Sequence, residues 1–294
     1  MLNTNDLKIF TDIVRAGSIS KAAMQRRQSK SVLSRKLSDL ESRLGVTLIT
    51  RTTRAMYLTD AGTELLKRSE SILDELAEME TAIRNEASTL TGRLRIAAPL
   101  SYGLTVLQPI LSQFIRDHPD LKVEIDFSDR KIDLVEDGFD IALRIGVLTD
   151  SSLIARKVTP VGHTVAASSA FWDQHGRPNH PDDLGNLPAL RYLNLKNPDT
   201  IPWWGPQGET GTVHPPVAVL AGNGDFLAGL AHDGCGFMVE PDFILAPWLK
   251  NGRLEAVLTD YAWSQMNLYL VYPPTRRIAA RTRAFAEAVL QALT

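Results

Sequence analysis

The sequence is poor in cysteine and shows no pattern of metal-binding residues. Its one cysteine, Cys235, cannot form an intramolecular disulfide, and the six histidines lack the paired spacings of a zinc site. We expect Cys235 to be a small buried hydrophobe. The alternative, a peroxide sensor, would need a resolving partner within the chain. We expect no metal and no cofactor.

Membrane and secretion signals are missing too. No apolar run approaches the roughly 20 residues that a membrane helix needs. The N-terminus lacks the charged and then apolar stretch that directs secretion. We therefore expect a cytoplasmic protein with no membrane partner.

Catalytic motifs are also absent. The sequence contains no Gly-x-Ser-x-Gly elbow, no Walker loop and no His-Glu-x-x-His. The glycine-rich stretch at residues 221–229 lacks the strand, turn and helix that a nucleotide site requires. These absences predict that the protein is not an enzyme, and no residue is predicted to be catalytic.

Length, hydrophobic content and charge indicate two or three folded domains, one of them basic. The chain has 294 residues, of which 44% are hydrophobic, and a net charge of −2. Residues 1–58 hold eleven Lys and Arg against four Asp and Glu, a net charge of +7, so the rest of the chain carries −9. Such an excess of cations at one end favours a polyanionic partner.

Residues 18–44 carry the pattern of two helices joined by a tight turn. Ser18 is a candidate N-cap of the first helix, and Gly45 is a candidate residue just past the second. The second helix opens at Ser29 or Ser31. Its predicted apolar stripe consists of Val32, Leu33, Leu37, Leu40 and Leu44. Its other face is polar and basic in the first turns, where a recognition helix reaches bases and phosphates in the major groove.

The residues on either side favour a DNA-binding domain over the alternative, an ordinary helical hairpin with a solvated basic face. Residues 2–15 form another amphipathic helical pattern. Residues 46–59 predict two short strands around an Arg-Thr-Thr-Arg tip. Three helices and a basic hairpin predict a winged helix-turn-helix.

Three stretches resemble the LysR-type transcriptional regulators. They are LKIFTDIVRAGSISKAA, LSRKLSDLESRLGVTLITRTTR and LTDAGTELL. Residues 26–31, Arg-Arg-Gln-Ser-Lys-Ser, depart from the apolar residues and glutamine or proline usual there. We interpret Arg26 as laying its methylene stem over the core with its charged end outward, and Arg27 as contacting phosphate. A repacked turn, in which both arginines contact phosphate, is the alternative.

The resemblance implies that the protein binds promoter DNA. The expected contact residues lie on the recognition helix, in the turn before it and beside the wing tip. They are Arg27, Ser29, Lys30, Ser31, Ser34, Arg35, Arg51 and Arg54.

Residues 59–90 form the longest helical pattern of the chain, with Thr59 as its cap. Apolar residues recur along it at two positions of a seven-residue repeat, interrupted by Ser69. They are Leu65, Ile72, Leu76, Met79 and Ile83. This pattern predicts a linker helix that dimerises, or alternatively a helix that packs on its own domain; the resemblance favours the dimer.

Beyond residue 90, alternating strands and helices indicate α/β architecture. We predict strands at 93–98, 122–127, 141–145, 161–167, 217–219, 236–239 and 268–272. Predicted helices are 103–117, 132–137, 168–175, 225–232 and 279–293. The resemblance implies a periplasmic-binding-protein-like effector domain, 91–294, after a winged helix-turn-helix domain, 1–58, and the linker helix, 59–90. Its subdomain I would comprise about 91–160 and 267–294, and subdomain II about 161–266.

A cleft between the two subdomains is where a small organic effector should bind, because ligands favour strand ends and helix N-termini at such crevices. The candidate residues are Leu100, Ser101, Tyr102, Phe127, Ser128, Arg144, Trp204, Asn223 and Asp225. Ser101 and the helix start beside it are suited to a carboxylate or another anion. Two assignments stay open: Arg144 is either a ligand contact or the partner of an acid, and Trp203 and Trp204 either line the cleft or pack a loop.

The sequence therefore predicts a LysR-type regulator, a homodimer or homotetramer, that binds promoter DNA and responds to an effector. Contact with RNA polymerase is a further expectation. The alternative is a constitutive DNA-binding regulator with no effector and a filled cleft. An enzyme would need a catalytic constellation, and a transport-type solute binder would need a secretory signal.

Overall fold

The structure, a computed structural model, describes residues 2–51, 56–83, 90–127, 133–146, 153–274 and 278–293. The chain divides into two compact units. The first consists of Met1–Arg93 with Asp120–Lys122, and the second of Leu94–Pro119 with Val123–Thr294. Each unit contains its own hydrophobic clusters.

Polar caps and a glycine set the ends of the first three helices. These are α1 (Thr4–Arg15), α2 (Ile19–Gln25) and α3 (Lys30–Leu44). The hydroxyls of Ser18 and Ser29 each accept the backbone N–H of the residue three positions later, as N-caps do. α3 ends at Gly45, whose φ of 70° is the left-handed conformation that glycine adopts without strain. The predictions for Ser18, Ser29 and Gly45 are confirmed.

A short hairpin and a long helix follow. They are β1 (Ile49–Arg51), β2 (Met56–Leu58) and α4 (Asp60–Ile83). β1 and β2 pair antiparallel, and residues of all three first helices, β1 and the first turns of α4 share one core. Phe10, Leu33 and Leu37 lie fully buried in it. The predicted winged helix-turn-helix is thereby confirmed.

The apolar face of α4 packs on the core near the start of the helix and is exposed to solvent further along. Thr59 caps it by accepting the N–H of Gly62 at 3.0 Å. Leu65 packs against the core of the first unit, whereas Ile72 is 46% exposed and Met79 is 53% exposed. Residues 84–89 of the predicted linker helix lie outside the described residues.

Strands and helices alternate through the rest of the chain. The strands are β3 (Gly92–Ala98), β4 (Leu121–Phe127), β5 (Ile141–Gly146), β6 (Ile154–Pro160), β7 (His163–Ala167), β8 (Ala189–Tyr192), β9 (Ile201–Trp204), β10 (Thr210–Val213), β11 (Val217–Ala221), β12 (Phe237–Pro241), β13 (Glu255–Val257) and β14 (Asn267–Tyr272). The helices are α5 (Leu100–Tyr102), continued by a π-helical turn (Gly103–Leu107) into α6 (Gln108–Asp117), then α7 (Ser169–His175), a 3-10 turn (Pro181–Asn186), α8 (Gly224–His232), α9 (Asp242–Lys250) and α10 (Ala280–Leu293). None of the helices in the described ranges is long and apolar enough to cross a membrane.

Two five-stranded sheets organise these elements. The first has the order β4-β3-β5-β14-β6, and the second β11-β8-β12-β7-β13. β3 and β5 run parallel, and β14, from near the C-terminus, inserts antiparallel between β5 and β6. The last strand therefore returns to the first sheet, as predicted. In the second sheet β11, β8 and β12 are parallel, and β7 runs antiparallel to β12 and β13.

The second sheet is covered on both faces. Phe237 and Val239 of β12 belong to one hydrophobic cluster with Trp172, whereas Met238 belongs to another cluster with Leu227. Successive side chains of a strand point to opposite faces, so a continuous apolar run is what a doubly covered strand requires. The predicted α/β architecture is confirmed.

Three expectations from the sequence are wrong. Residues 134–138 form turns instead of a helix, because the carboxylate of Asp133 accepts the N–H groups of Val135 and Glu136; Ile132 lies outside the described residues. Cys235 is exposed, since it stands in the turn that follows α8. Val32 is 43% exposed and lies outside the buried stripe of α3.

Candidate DNA-binding surface and effector cleft

The first turns of α3 combine a fixed backbone with exposed polar side chains. Leu33, Leu37 and Leu40 are buried and hold the helix in the core. Among the predicted contact residues here, Ser29, Lys30, Ser31 and Arg35 are exposed and Ser34 is half-buried. The hydroxyls of Ser29 and Ser31 lie 2.9 Å apart. The N-terminal half of α3 can therefore present donors and a guanidinium to a groove.

The turn before α3 places Arg27 in a left-handed conformation. Its φ is 52°, and its N–H donates to the carbonyl of Met24 at 3.1 Å. The next N–H, that of Gln28, donates to the carbonyl of Ala23 at 2.9 Å. This pair of bonds is the Schellman arrangement, in which glycine is the usual residue. The side chain of Arg27 is exposed.

Arg26 is half-buried and directs its charged end to α1. Its side chain is 23% exposed, and its guanidinium forms an ion pair with Asp12 of α1. The Nε atom is buried and has no hydrogen-bond partner in the described residues. The substitution of an arginine for an apolar residue is thus accommodated by an acid on the neighbouring helix.

The hairpin holds the predicted wing residues. Arg51 ends β1 opposite Met56, and Arg54 lies outside the described residues. Tyr57 is 59% exposed on β2 and was missed by the sequence reasoning. A tyrosine close in the sequence to the Arg-Thr-Thr-Arg tip is the signal that could have found it.

One side of the candidate cleft is built by α5 and the strand beside it. Leu100 is 36% exposed at the start of α5, while Ser101 and Tyr102 are buried. The ring of Tyr102 meets Phe243 of α9 edge-on at 5.0 Å, and burial raises the pKa of Tyr102 to about 12. Phe127, the last residue of β4, lies against Gly103, where a Cβ would overlap its ring.

The other side is built by the start of α8. Asn223 is its N-cap and accepts the N–H of Phe226 at 2.8 Å. Asp225 accepts a hydrogen bond from the hydroxyl of Ser101. The structure thus brings together Ser101 and Asp225, which the sequence separates by 124 positions.

The other predicted cleft residues belong to β5, to β9 or to stretches outside the described residues. Ser128 is outside the described residues. Arg144 is half-buried on β5, opposite Tyr269 of β14. Trp204 is half-buried, paired with Thr210 and bridged to Ala262, and no described contact joins it to Ser101 or Asp225. Trp203 is 6% exposed in a hydrophobic cluster, so this indole packs a core.

The sequence reasoning missed two acids beside Asp225. Glu240, on β12, is 4% exposed, and burial raises its pKa to about 7; Arg191 opposes that rise and Asp225 adds to it. Asp242 begins α9, and its carboxylate accepts a hydrogen bond of 2.7 Å from the hydroxyl of Thr164. An acid within the apolar run GFMVE is the signal for Glu240, since buried acids are rare. No group of three or more His, Cys, Asp or Glu among the described residues is arranged to hold a metal ion.

A helix-turn-helix with a basic recognition helix, followed in the same chain by two α/β sheets, defines a class of protein: transcription regulators with a separate effector-binding domain. The family description "Bacterial regulatory helix-turn-helix protein, lysR family" matches residues 4–63, and "LysR substrate binding domain" matches residues 87–294. The chain belongs to the LysR family of transcription regulators, which are DNA-binding proteins and not enzymes.

Known relatives agree with this assignment over nearly their whole length. The HTH-type transcriptional regulator PtxR of Pseudomonas aeruginosa is 34% identical over 99% of this chain and 93% of its own. An uncharacterized HTH-type transcriptional regulator of Haemophilus influenzae is 34% identical over 93% of this chain and 95% of its own. The structure of CrgA, a LysR-type transcriptional regulator from Neisseria meningitidis, superposes with a TM-score of 0.61 at 29% identity and covers 100% of this chain and 99% of that one.

Proposed function

We propose that this protein binds promoter DNA through the first turns of α3 and that a small organic effector in the cleft changes that binding. The exposed basic start of α3 carries the proposal. Lys30, Ser31 and Arg35 are exposed there, while three buried leucines fix the helix backbone. Arginine and lysine donate two hydrogen bonds to guanine more often than any other specific contact, so Arg35 is the residue we assign to a base edge.

The remaining predicted contacts divide into two roles. Arg27 and the wing residues Arg51 and Arg54 would contact phosphate or the minor groove, which positions the domain on the duplex. Ser29 and Ser34 would donate hydroxyls near the helix start. Because the DNA of the cell is the partner, we expect the protein to act in the cytoplasm.

The effector side of the proposal rests on the contact between Ser101 and Asp225. Ser101 comes from α5, which follows β3 of the first sheet, and Asp225 comes from α8, which follows β11 of the second sheet. A ligand that separates or bridges them would change how the two subdomains meet. We assign Leu100, Tyr102 and Phe127 to the same cleft because Leu100 and Tyr102 flank Ser101 on α5 and Phe127 lies against the next residue, Gly103. Ser128, Arg144, Trp204 and Asn223 remain assigned to it from the sequence alone.

We propose the domain division 1–58, 59–90 and 91–294, with subdomain I at about 91–160 and 267–294 and subdomain II at about 161–266. A homodimer or homotetramer would form through the exposed apolar residues of α4. RNA polymerase is a further proposed partner. Two contacts across the proposed cleft, Ser101 with Asp225 and Tyr102 with Phe243, favour the second candidate, a constitutive regulator with no effector.

Arg35 provides the test of the DNA-binding proposal. Operator affinity is measured across a salt series for the wild type, Arg35→Ala and the charge-conserving Arg35→Lys. If Arg35 contacts a base edge, Arg35→Ala weakens operator binding by about 1–3 kcal/mol and relaxes preference at one base position. Equal losses on operator and scrambled duplex, fully restored by Arg35→Lys, would instead make Arg35 a phosphate contact.

A further inference from the structure

Acidic side chains gather at one end of the second sheet. Glu240 lies near the end of β12, Asp242 follows at the start of α9, and Asp225 lies in the first turn of α8. β8, β11 and β12 run parallel, so their carboxyl ends share one edge of this sheet. Asp225 also contacts Ser101, so this edge belongs to the proposed cleft.

Glu240 is a buried acid without a hydrogen bond to its carboxylate from any described residue. It is 4% exposed. A Cβ on Gly224 would lie 2.9 Å from its Oε2 atom, so the glycine at the first position of α8 makes room for the carboxylate. Glu240 is therefore held at the start of α8, close enough to Asp225 for the two charges to interact.

The hydroxyl proton of Ser101 is already used in a hydrogen bond at this site. The hydroxyl donates to Asp225, so it has no second proton to offer an anion. A group that takes the place of Ser101 must itself be a donor. A carboxylate ligand would bring no donor and would face Asp225 and, above about pH 7 where it ionises, Glu240, two groups of its own charge.

The cations nearby do not cancel these acids. Arg191 is one positive charge that interacts electrostatically with Glu240, and its guanidinium donates hydrogen bonds to the carbonyls of Pro198 at 2.7 Å and Thr200 at 3.0 Å and not to the carboxylate. Burial lowers the pKa of His163, which keeps this imidazole neutral near pH 7. Asp242 accepts a hydrogen bond from Thr164, and Asp199 is a further acid that interacts electrostatically with Arg191. Acids thus outnumber cations in this described part of the cleft.

We propose that the cleft selects a cationic effector, a primary ammonium or a guanidinium, which replaces the Ser101 hydroxyl at Asp225 and supplies the donor that Glu240 lacks. The inference rests on the proposed effector function and adds the charge class of the ligand. An ammonium provides three donors and a guanidinium five, enough to bond both carboxylates at once. Such charge-assisted bonds are the strong ones in proteins.

The test titrates the full-length protein by calorimetry with matched cations and anions. Putrescine, agmatine and benzylamine represent the cations, and succinate and benzoate the anions. At least one cation should bind saturably and neither anion should. Saturable binding of an anion in preference to the cations, or no saturation by any cation below about 10 mM, overturns the proposal.

Three variants locate the binding site. Asp225→Asn and Glu240→Gln should each lower the affinity for the cation by about 10- to 100-fold, because each removes a charge-assisted hydrogen bond. Asp233→Asn, at the other end of α8, is the matched control and should bind as the wild type does.

Affinity in the wild type should also rise from pH 6 to pH 8 as Glu240 ionises, and this rise should be absent in Glu240→Gln. Equal affinity in all three variants would mean nonspecific attraction to the acidic unit and would contradict the proposal.

Operator binding, measured in parallel, keeps the two proposals apart. Intact operator binding together with preference for an anion would refute the charge class and leave the regulator function standing. Absence of sequence-specific operator binding would refute the regulator function, while the titration alone would still decide the charge class.

Discussion

Glu240 is an acid whose burial is built into the fold. β12 must be apolar on both faces, and Glu240 occupies the last inward position before α9 begins. Removing an ionised carboxylate from water is costly unless partners replace the water, and among described residues no donor meets this one. The pKa of Glu240 therefore rises to about 7 from its usual 4.5.

The raised pKa of Glu240 makes the stability of the second unit depend on pH. The folded state holds this proton more tightly than the unfolded chain, so the stabilisation is complete below pH 4.5 and is lost as pH rises through about 7. Glu240→Gln, which cannot ionise, should therefore be more stable than the wild type by up to about 3 kcal/mol at pH 8 and by under about 1 kcal/mol at pH 5.

Urea unfolding followed by tryptophan fluorescence measures this difference, because all five tryptophans lie between residues 172 and 263. Glu287→Gln, an exposed change on α10, is the control and should show the wild-type pH dependence. A constant gap between wild type and Glu240→Gln from pH 5 to pH 8 would mean that Glu240 does not titrate in this range.

The turn between α2 and α3 carries strain at Arg27. A non-glycine residue in the left-handed region costs roughly 1–2 kcal/mol, part of which glycine recovers despite its own entropy cost. Arg27→Gly should slow hydrogen exchange of the α2 and α3 amides about fivefold, equivalent to about 1 kcal/mol, in the full-length protein. It should also reduce the slope of log DNA affinity against log salt concentration by about one, because one phosphate contact is lost.

Arg27→Ala separates the two effects. It removes the same charge but keeps a Cβ in the left-handed conformation, so it should weaken DNA binding without slowing exchange. Slower exchange in the alanine variant as well would show that the arginine charge, and not the backbone, destabilises the turn.

The later turns of α4 expose apolar side chains that a second copy of the chain would cover. Leu76 is half-buried between the exposed Ile72 and Met79. Leu76→Asp should split the dimer, because a charge in a coiled-coil seam loses its water without gaining a partner. Sedimentation velocity measures the change, and Ser71→Asp, on an exposed position, should leave the dimer intact. An unchanged oligomer in Leu76→Asp would mean that α4 packs within its own chain.

Elements with regular patterns could be predicted from the sequence, and those that break the patterns could not. The first three helices, α4 and β14 have caps or apolar periodicity that match their structure. α9 was missed because Pro241 precedes it and Pro247 lies inside it, both of which indicate a loop. β6 was missed because most of its residues are exposed, as an edge strand's can be.

Contacts between distant parts of the chain, such as those in the proposed cleft, could not be predicted from the sequence. The sequence predicted Ser101 and Asp225 separately, each beside a strand end or a helix start. It could not predict that they bond to each other, because that depends on how α5 and α8 meet in the fold. Glu240 was hidden for the related reason that its neighbour Gly224 comes from another element, α8.

The chain as a whole separates a basic end from an acidic remainder. Residues 1–58 carry a net charge of +7 within a total of −2. Cations that neutralise phosphates release counterions from DNA, whereas the acidic part gains nothing from a polyanion. This distribution is expected of a regulator that touches DNA with one domain and uses the other for a different partner.

Selection from random-sequence duplexes tests the central claim, that the first turns of α3 read DNA as a symmetric pair. The wild type should enrich two inverted half-sites whose centres lie about one helical turn, roughly 10 base pairs, or a multiple of it apart. Arg35→Ala should enrich the same spacing with one base position relaxed in each half-site. Enrichment of no sequence, or of a single half-site unaffected by Arg35→Ala, would contradict the account.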